Sequence, residues 1–190
     1  IKVPGRFEPP LCDQGLLAIG DSAVTVTPSG FEQYEVRARE IAAQVIAGGK
    51  AELLCKPSAV SGFDEVCASE FLNRYGRQLF RRPLNESELA ASMKLVKAAA
   101  DSNQGFAKGL ATGLSRLLVS PHFIFRIERS EPDPSAPNQR RLDDYSLASR
   151  ISFLLWDAPP DEAMLDAVAK GDLRNPAKLN AQVDRMLLSP

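Results

Sequence analysis

From Pro28 to Pro190, apolar residues return every three or four positions and almost never at alternate ones. That period admits packed helices and little else. Tyr34, Ala38, Ile41, Ala42 and Val45 form one face of a first helix over about 29–47, opened by Pro28-Ser29 and ended by Gly48-Gly49. Ala68, Phe71, Leu72, Tyr75 and Leu79 form the stripe of a second, about 63–80. Asn85, with Glu88 three residues on, is a variant capping box that opens a third, with Leu89, Met93, Val96 and Ala100 inward. A fourth, about 104–119, carries Phe106, Leu110, Leu114 and Leu117. Its Gly105, Gly109 and Gly113 lie four apart on one face, where each glycine costs up to about 1 kcal/mol relative to alanine. Three in register predict a close helix crossing.

After Ser120-Pro121, HFIFRIE reads as a short helix. SEPDPSAPNQ, residues 130–139, holds three prolines and reads as a linker. Asp143 or Asp144 then caps a helix to about Trp156, with Leu147, Ile151, Leu154 and Leu155 inward. Pro159-Pro160-Asp161 starts a shorter helix ending at Gly171, and Asn175-Pro176 starts the last, carrying Leu179, Val183 and Met186. The expectation is an all-α chain: a multi-helix bundle of about seven helices with an irregular N-terminal segment. LLAIGDSAVTV, within that segment, reads either as one short strand or as chain draped over the helices. The expected division is an irregular 1–30, the tail of a preceding domain; a helical subdomain 31–130; a linker 131–141; and the start of a second helical subdomain, 142–190, that continues beyond it.

At 190 residues the chain has length for a real core, burying roughly 70% of its extended surface. Hydrophobic content of 44% and charged content of 25% are ordinary for a globular domain. A net charge of −1 gives no field that favours nucleic acid or anionic membrane. No apolar run approaches the roughly 20 residues of a membrane span. IKVPGRFEPP lacks the apolar centre of a signal peptide, and both ends read as cut from something longer.

Reactive constellations are scarce. His122 is the only histidine, which excludes any site needing two and most zinc and copper sets. It reads as a structural residue at a helix start, beside Phe123 and Phe125; a nucleophile–histidine pair, with Cys12 or a serine, is the weaker alternative. Arg77, Arg81 and Arg82, beside Phe80 and Pro83, read as an anion-binding group or as partners for Glu86, Glu88, Asp143 or Asp144. Arg140-Arg141, next to the linker, read as solvated. Asp143-Asp144 and Asp161-Glu162 are paired carboxylates, but both fall at helix N-termini, where exposed amides favour negative charge. Phe153 and Trp156 read as core, with a sugar-stacking platform as the alternative. No phosphate loop, nucleophile elbow, calcium loop or C-x-x-C-H haem-attachment motif occurs, so no catalytic, cofactor-binding or metal-binding residue is assigned. The cysteines are Cys12, Cys55 and Cys67. Cys55 and Cys67 flank a short turn-rich loop, and either form a bridge or stand as two buried thiols; Cys12 has no evident partner.

Four segments occur in order: CASEFLNRYGRQLFRRPLNESEL, GLATGLSRLLVSPHFIFRIE, RLDDYSLASRISFLLWDAPPDEAMLDAVAKGDL and QVDRMLLSP. This series resembles the planctomycete-type cytochrome-domain family, large exported bacterial proteins built of serial domains of unknown function, over about residues 22–190. The resemblance implies an extracytoplasmic, multi-domain protein whose members often carry a c-type haem module elsewhere. It favours pairing Cys55 with Cys67, and brings no catalytic residue.

Three functional expectations follow. The first is a helical structural and interaction module of an exported, cytochrome c-linked redox protein. Its partners would be other domains of the same polypeptide or another protein, with no cofactor in these residues. The second is part of an oxidoreductase active site completed by other domains. The third is an extracellular carbohydrate- or polymer-binding module using Tyr75, Tyr145 or Trp156.

Overall fold

The computed structural model describes residues 1–3, 26–48, 55 and 62–188, without the side chains of 103 and 104. Cys12 and LLAIGDSAVTV lie outside the described residues, apart from the last residue of that run, Val26. The described chain is all-α apart from one small hairpin. Its elements are α1 (Pro28–Ala47), α2 (Glu65–Phe80), α3 (Glu86–Ala99), α4 (Gly105–Leu118), α5 (Pro121–Ile124), β1 (Ser130–Pro132), β2 (Arg140–Leu142), α6 (Asp144–Trp156), α7 (Glu162–Ala169) and α8 (Pro176–Leu188). A π-helical stretch, Ala100–Gln104, joins α3 to α4, and a 3-10 turn, Asp172–Arg174, precedes α8.

The helix starts follow their caps. Thr27 Oγ1 accepts from Gly30 N at the head of α1, Asp143 Oδ1 from Ser146 N at α6, and Asp161 Oδ1 from Met164 N at α7. Asn85 and Glu88 form the reciprocal box: Asn85 Oδ1 accepts from Glu88 N at 2.8 Å, and Glu88 Oε2 from Asn85 N at 2.9 Å.

Two compact units emerge, one of residues 1–72 and 90–120, the other of 73–89 and 121–190. In the first, α1 lies along α4. Its core comes from Ala38 and Ala42 of α1, Ala68, Phe71 and Leu72 of α2, and Phe106, Leu110, Leu114 and Leu117 of α4. The glycines explain the close approach. A Cβ on Gly109 would lie 2.8 Å from the Val96 carbonyl oxygen, and one on Gly113 would lie 2.6 Å from Val96 Cγ2 and 3.0 Å from Leu72 Cδ2. Gly105 serves differently: its φ of 79° turns the chain from the π-helical stretch into α4. Cys55 and Cys67 are joined by a disulfide, with their Cα atoms 5.5 Å apart.

In the second unit Ala148, Met164, Ala167, Val168, Leu173 and Met186 form the core. Two expectations are corrected here. The periodicity placed Leu147, Ile151, Leu154 and Leu155 of α6 inward, but α6 buries Ser146, Ala148, Ser149 and Ser152. Leu147, Ile151 and Leu155 pack half-buried at the edge of that core, and Leu154 is 80% exposed. Small residues let a helix sit close, and two of these serines are satisfied inside: Ser152 Oγ donates to Ala158 O, and Ser146 Oγ accepts from Arg129 N, both at 2.8 Å. The second correction is the segment read as a linker. Residues 130–142 form an antiparallel hairpin, with Ser130 opposite Leu142 and Pro132 opposite Arg140. Arg174 ties it down, donating to Leu142 O at 2.7 Å and pairing with Glu131 at 3.1 Å and with Asp144. HFIFRIE is helical only as far as Ile124.

Candidate functional site

A polar cluster of the second unit gathers at the elbow between α2 and α3. The α2 helix ends at Phe80 because Arg81 turns left-handed, with φ 58°. Pro83 then bars further helix, and the capping box opens α3. This geometry sends the two arginines in different directions. Arg81 is buried, and its Nη2 donates to the carbonyl oxygens of His122 and Phe125, at 2.6 and 2.9 Å. Those are carbonyls at the end of α5, where helix geometry leaves acceptors open. Arg81 therefore caps α5 from a distant point in the chain. Its guanidinium is held below its ordinary pKa, first by burial and then by Arg126 and Arg82.

Arg82 grips Glu88 with two parallel hydrogen bonds, Nη1 to Oε2 at 2.8 Å and Nη2 to Oε1 at 2.6 Å. The same carboxylate caps α3 and lies 3.3 Å from His122 Nε2. Glu88 is lowered to a pKa of about 2, chiefly by the Arg82 hydrogen bonds, against the opposing effect of burial. His122 packs on Phe80, with ring centroids 5.3 Å apart. Glu88 favours its protonated form, but burial and then the charge of Arg82 outweigh that and lower its pKa. The imidazole is therefore a neutral partner of Glu88 at pH 7. Of the three sequence-selected arginines, Arg77 stands apart and donates to Asp166 at 2.6 Å, while its neighbour Gln78 donates to Glu162 at 2.8 Å. The other paired carboxylates act as caps and ties. Asp161 also accepts from both terminal nitrogens of the Arg185 guanidinium, Nη1 at 2.7 Å and Nη2 at 3.0 Å. Trp156 donates to Met186 O at 2.8 Å, with Arg185 over its ring.

Beside the elbow is a cleft of about 20 Å³, lined by Phe80, Arg81, Arg82, His122, Arg129 and Ser149 among others. That is room for about one water molecule, far below a small-molecule site. Periodicity gave no sign of Arg129 or Ser149, because the hairpin and the buried serine face of α6 bring them there. In the first unit a groove of about 470 Å³ runs past Glu35, Arg39, Lys108, Thr112 and Arg116. Its lining holds one carboxylate, Glu35, paired with Arg39, and neither histidine nor cysteine. Among the described residues no group of three or more His, Cys, Asp or Glu is placed to hold a metal ion, and no helix is long and apolar enough to cross a membrane.

Residues 67–128 match the family model PSD5, protein of unknown function (DUF1595), and residues 142–190 match PSD4, protein of unknown function (DUF1592). The chain carries these two domains in series. That is the serial pattern characteristic of the planctomycete cytochrome-domain proteins, the family the four ordered segments resemble. No curated protein and no solved structure matches the chain. The DUF1595 segment contributes to both compact units, and the second unit joins part of it to the whole DUF1592 segment. The elbow arginines, Glu88 and His122 belong to the former, and Asp143, Ser146 and Ser149 to the latter.

Proposed function

We propose that the chain is a helical structural and interaction module of a larger exported protein, serving c-type cytochrome chemistry carried by other domains. The observation that carries this reading is the serial pair of DUF1595 and DUF1592 domains on one chain. The polar geometry supports it. Arg77, Arg81, Arg82, Glu88, Asp161 and Arg185 are engaged in ties between segments of the fold, which suits a module that holds shape. The Cys55–Cys67 disulfide suits an oxidising compartment.

The test is the full-length protein in its native host. Its absorption spectrum should show a c-type haem, and deletion of this module should leave that spectrum while disrupting assembly with the neighbouring domains or partner. A full-length protein without haem overturns the cytochrome link. Loss of substrate turnover on deletion, with haem content and assembly intact, overturns the structural role in favour of a part in an oxidoreductase site.

A further inference from the structure

The cleft beside the elbow gathers more positive than negative charge. The three guanidiniums in its lining, Arg81, Arg82 and Arg129, are matched by two carboxylates, Glu88 on Arg82 and Asp143 at the head of α6. Arg81 is satisfied by carbonyl oxygens, which accept its N–H groups without cancelling its charge. The exposed Arg129 guanidinium has no hydrogen-bond or ion-pair partner among the described residues. Ser149, also in the lining, is only 6% exposed, and its buried hydroxyl lacks a hydrogen-bond partner. An unpaired buried hydroxyl is a destabilising arrangement that a bound acceptor relieves. Neighbouring guanidiniums also contribute to lowering both Arg81 and His122, which agrees with a positive local potential.

We propose that this cleft is a binding site for one small monatomic anion of chloride size. The Arg129 guanidinium would hold it at the rim, and the Ser149 hydroxyl would donate to it from within. Its volume admits about one such ion and no larger ligand. The site would stabilise the junction of elbow, hairpin and α6 by mass action, since the unfolded chain has no such cluster.

The test is thermal unfolding of the 190-residue chain at constant ionic strength, with chloride progressively replacing a bulky organic anion. Chloride should raise the unfolding temperature by about 2 °C or more, with saturation. Arg129→Gln, at an exposed position without a partner, should keep the far-ultraviolet dichroism and lose that increment. Ser149→Ala should weaken the apparent affinity several-fold. Chloride-35 NMR line-broadening, present in the wild type and absent in Arg129→Gln, reads binding without unfolding. Identical unfolding in both salts with no line-broadening overturns the proposal and leaves the cleft to water. A chloride effect retained in Arg129→Gln, or a response to phosphate but not to chloride, overturns it as well.

Discussion

Arg81 donates a 2.6 Å hydrogen bond to the main-chain carbonyl oxygen of His122, 41 residues away in the chain. This links the end of α2 to the end of α5 through a buried cation, and the cation reaches it only because Arg81 itself is left-handed. Two effects therefore meet at one residue. Removing the guanidinium strands the carbonyls of His122 and Phe125, and any residue with a Cβ carries left-handed backbone strain of about 1 kcal/mol or more. Arg81→Ala should destabilise by about 2–4 kcal/mol in urea unfolding. Arg81→Gly should be less damaging than Arg81→Ala by about 1 kcal/mol, because glycine alone relieves the strain. The reverse ranking would show that the backbone at Arg81 is unstrained.

Glu88 sets the acid sensitivity of the elbow. Its folded pKa of about 2 lies below the ordinary 4.5, so its contribution is present at neutral pH and is lost as pH falls from about 5 toward 2. At full strength the shift corresponds to roughly 3 kcal/mol. Glu88→Gln should therefore cost about 2–3 kcal/mol at pH 7 and almost nothing near pH 2. Urea midpoints across that range check it, and equal losses at both ends would place the stabilisation elsewhere.

The limits of the sequence show most clearly at α6 and Arg174. Caps and stops were legible because they depend on neighbours in the chain: Asp143, Asp161 and the Asn85–Glu88 box each act within three residues. The glycine face of α4 was legible too, since only glycine permits the approach to Val96. For α6, hydrophobicity pointed to the leucine face, yet the second unit takes the narrow serine face and leaves Leu154 outside. Close packing of small residues and distant hydrogen-bond partners, such as Ala158 O for Ser152, carry no periodic signal. The same holds for the hairpin. Its prolines read as a linker, and its anchor, Arg174, comes from 32 residues beyond Leu142. Of the candidate site, Arg81 and Arg82 were legible as a pair, but their separate destinations were not, because the left-handed turn that parts them leaves no mark on an arginine.

The α4 crossing gives a prediction that runs against helix propensity. Glycine to alanine inside an ordinary helix gains up to about 1 kcal/mol. Here a methyl group on Gly109 meets a main-chain oxygen at 2.8 Å, and one on Gly113 meets two branched side chains. Gly109→Ala and Gly113→Ala should each lower stability by about 1–3 kcal/mol, the typical penalty of overpacking. Gly109→Ala should be the worse, since a carbonyl oxygen cannot rotate away as Val96 Cγ2 and Leu72 Cδ2 can. A melting temperature equal to or above wild type for both variants would mean the helices separate at no cost.

The last prediction concerns the Cys55–Cys67 disulfide. Its two ends are 12 residues apart, and Cys67 is fully buried beside the core residues Ala68, Phe71 and Leu72 of α2. Closing so short a loop stabilises by roughly 3 kcal/mol in the chain-entropy model. Burial of Cys67 should also slow reduction, because the attacking thiolate must reach its sulfur. Non-reduced protein should therefore take no alkylating label at Cys55 or Cys67, while protein unfolded and reduced takes one at each, seen by peptide mass. Cys67→Ser should lower the unfolding temperature by about 5–10 °C, combining the lost cross-link with a hydroxyl placed in an apolar site. Two freely labelled thiols in protein purified from an oxidising compartment would remove both the cross-link and its support for an exported location.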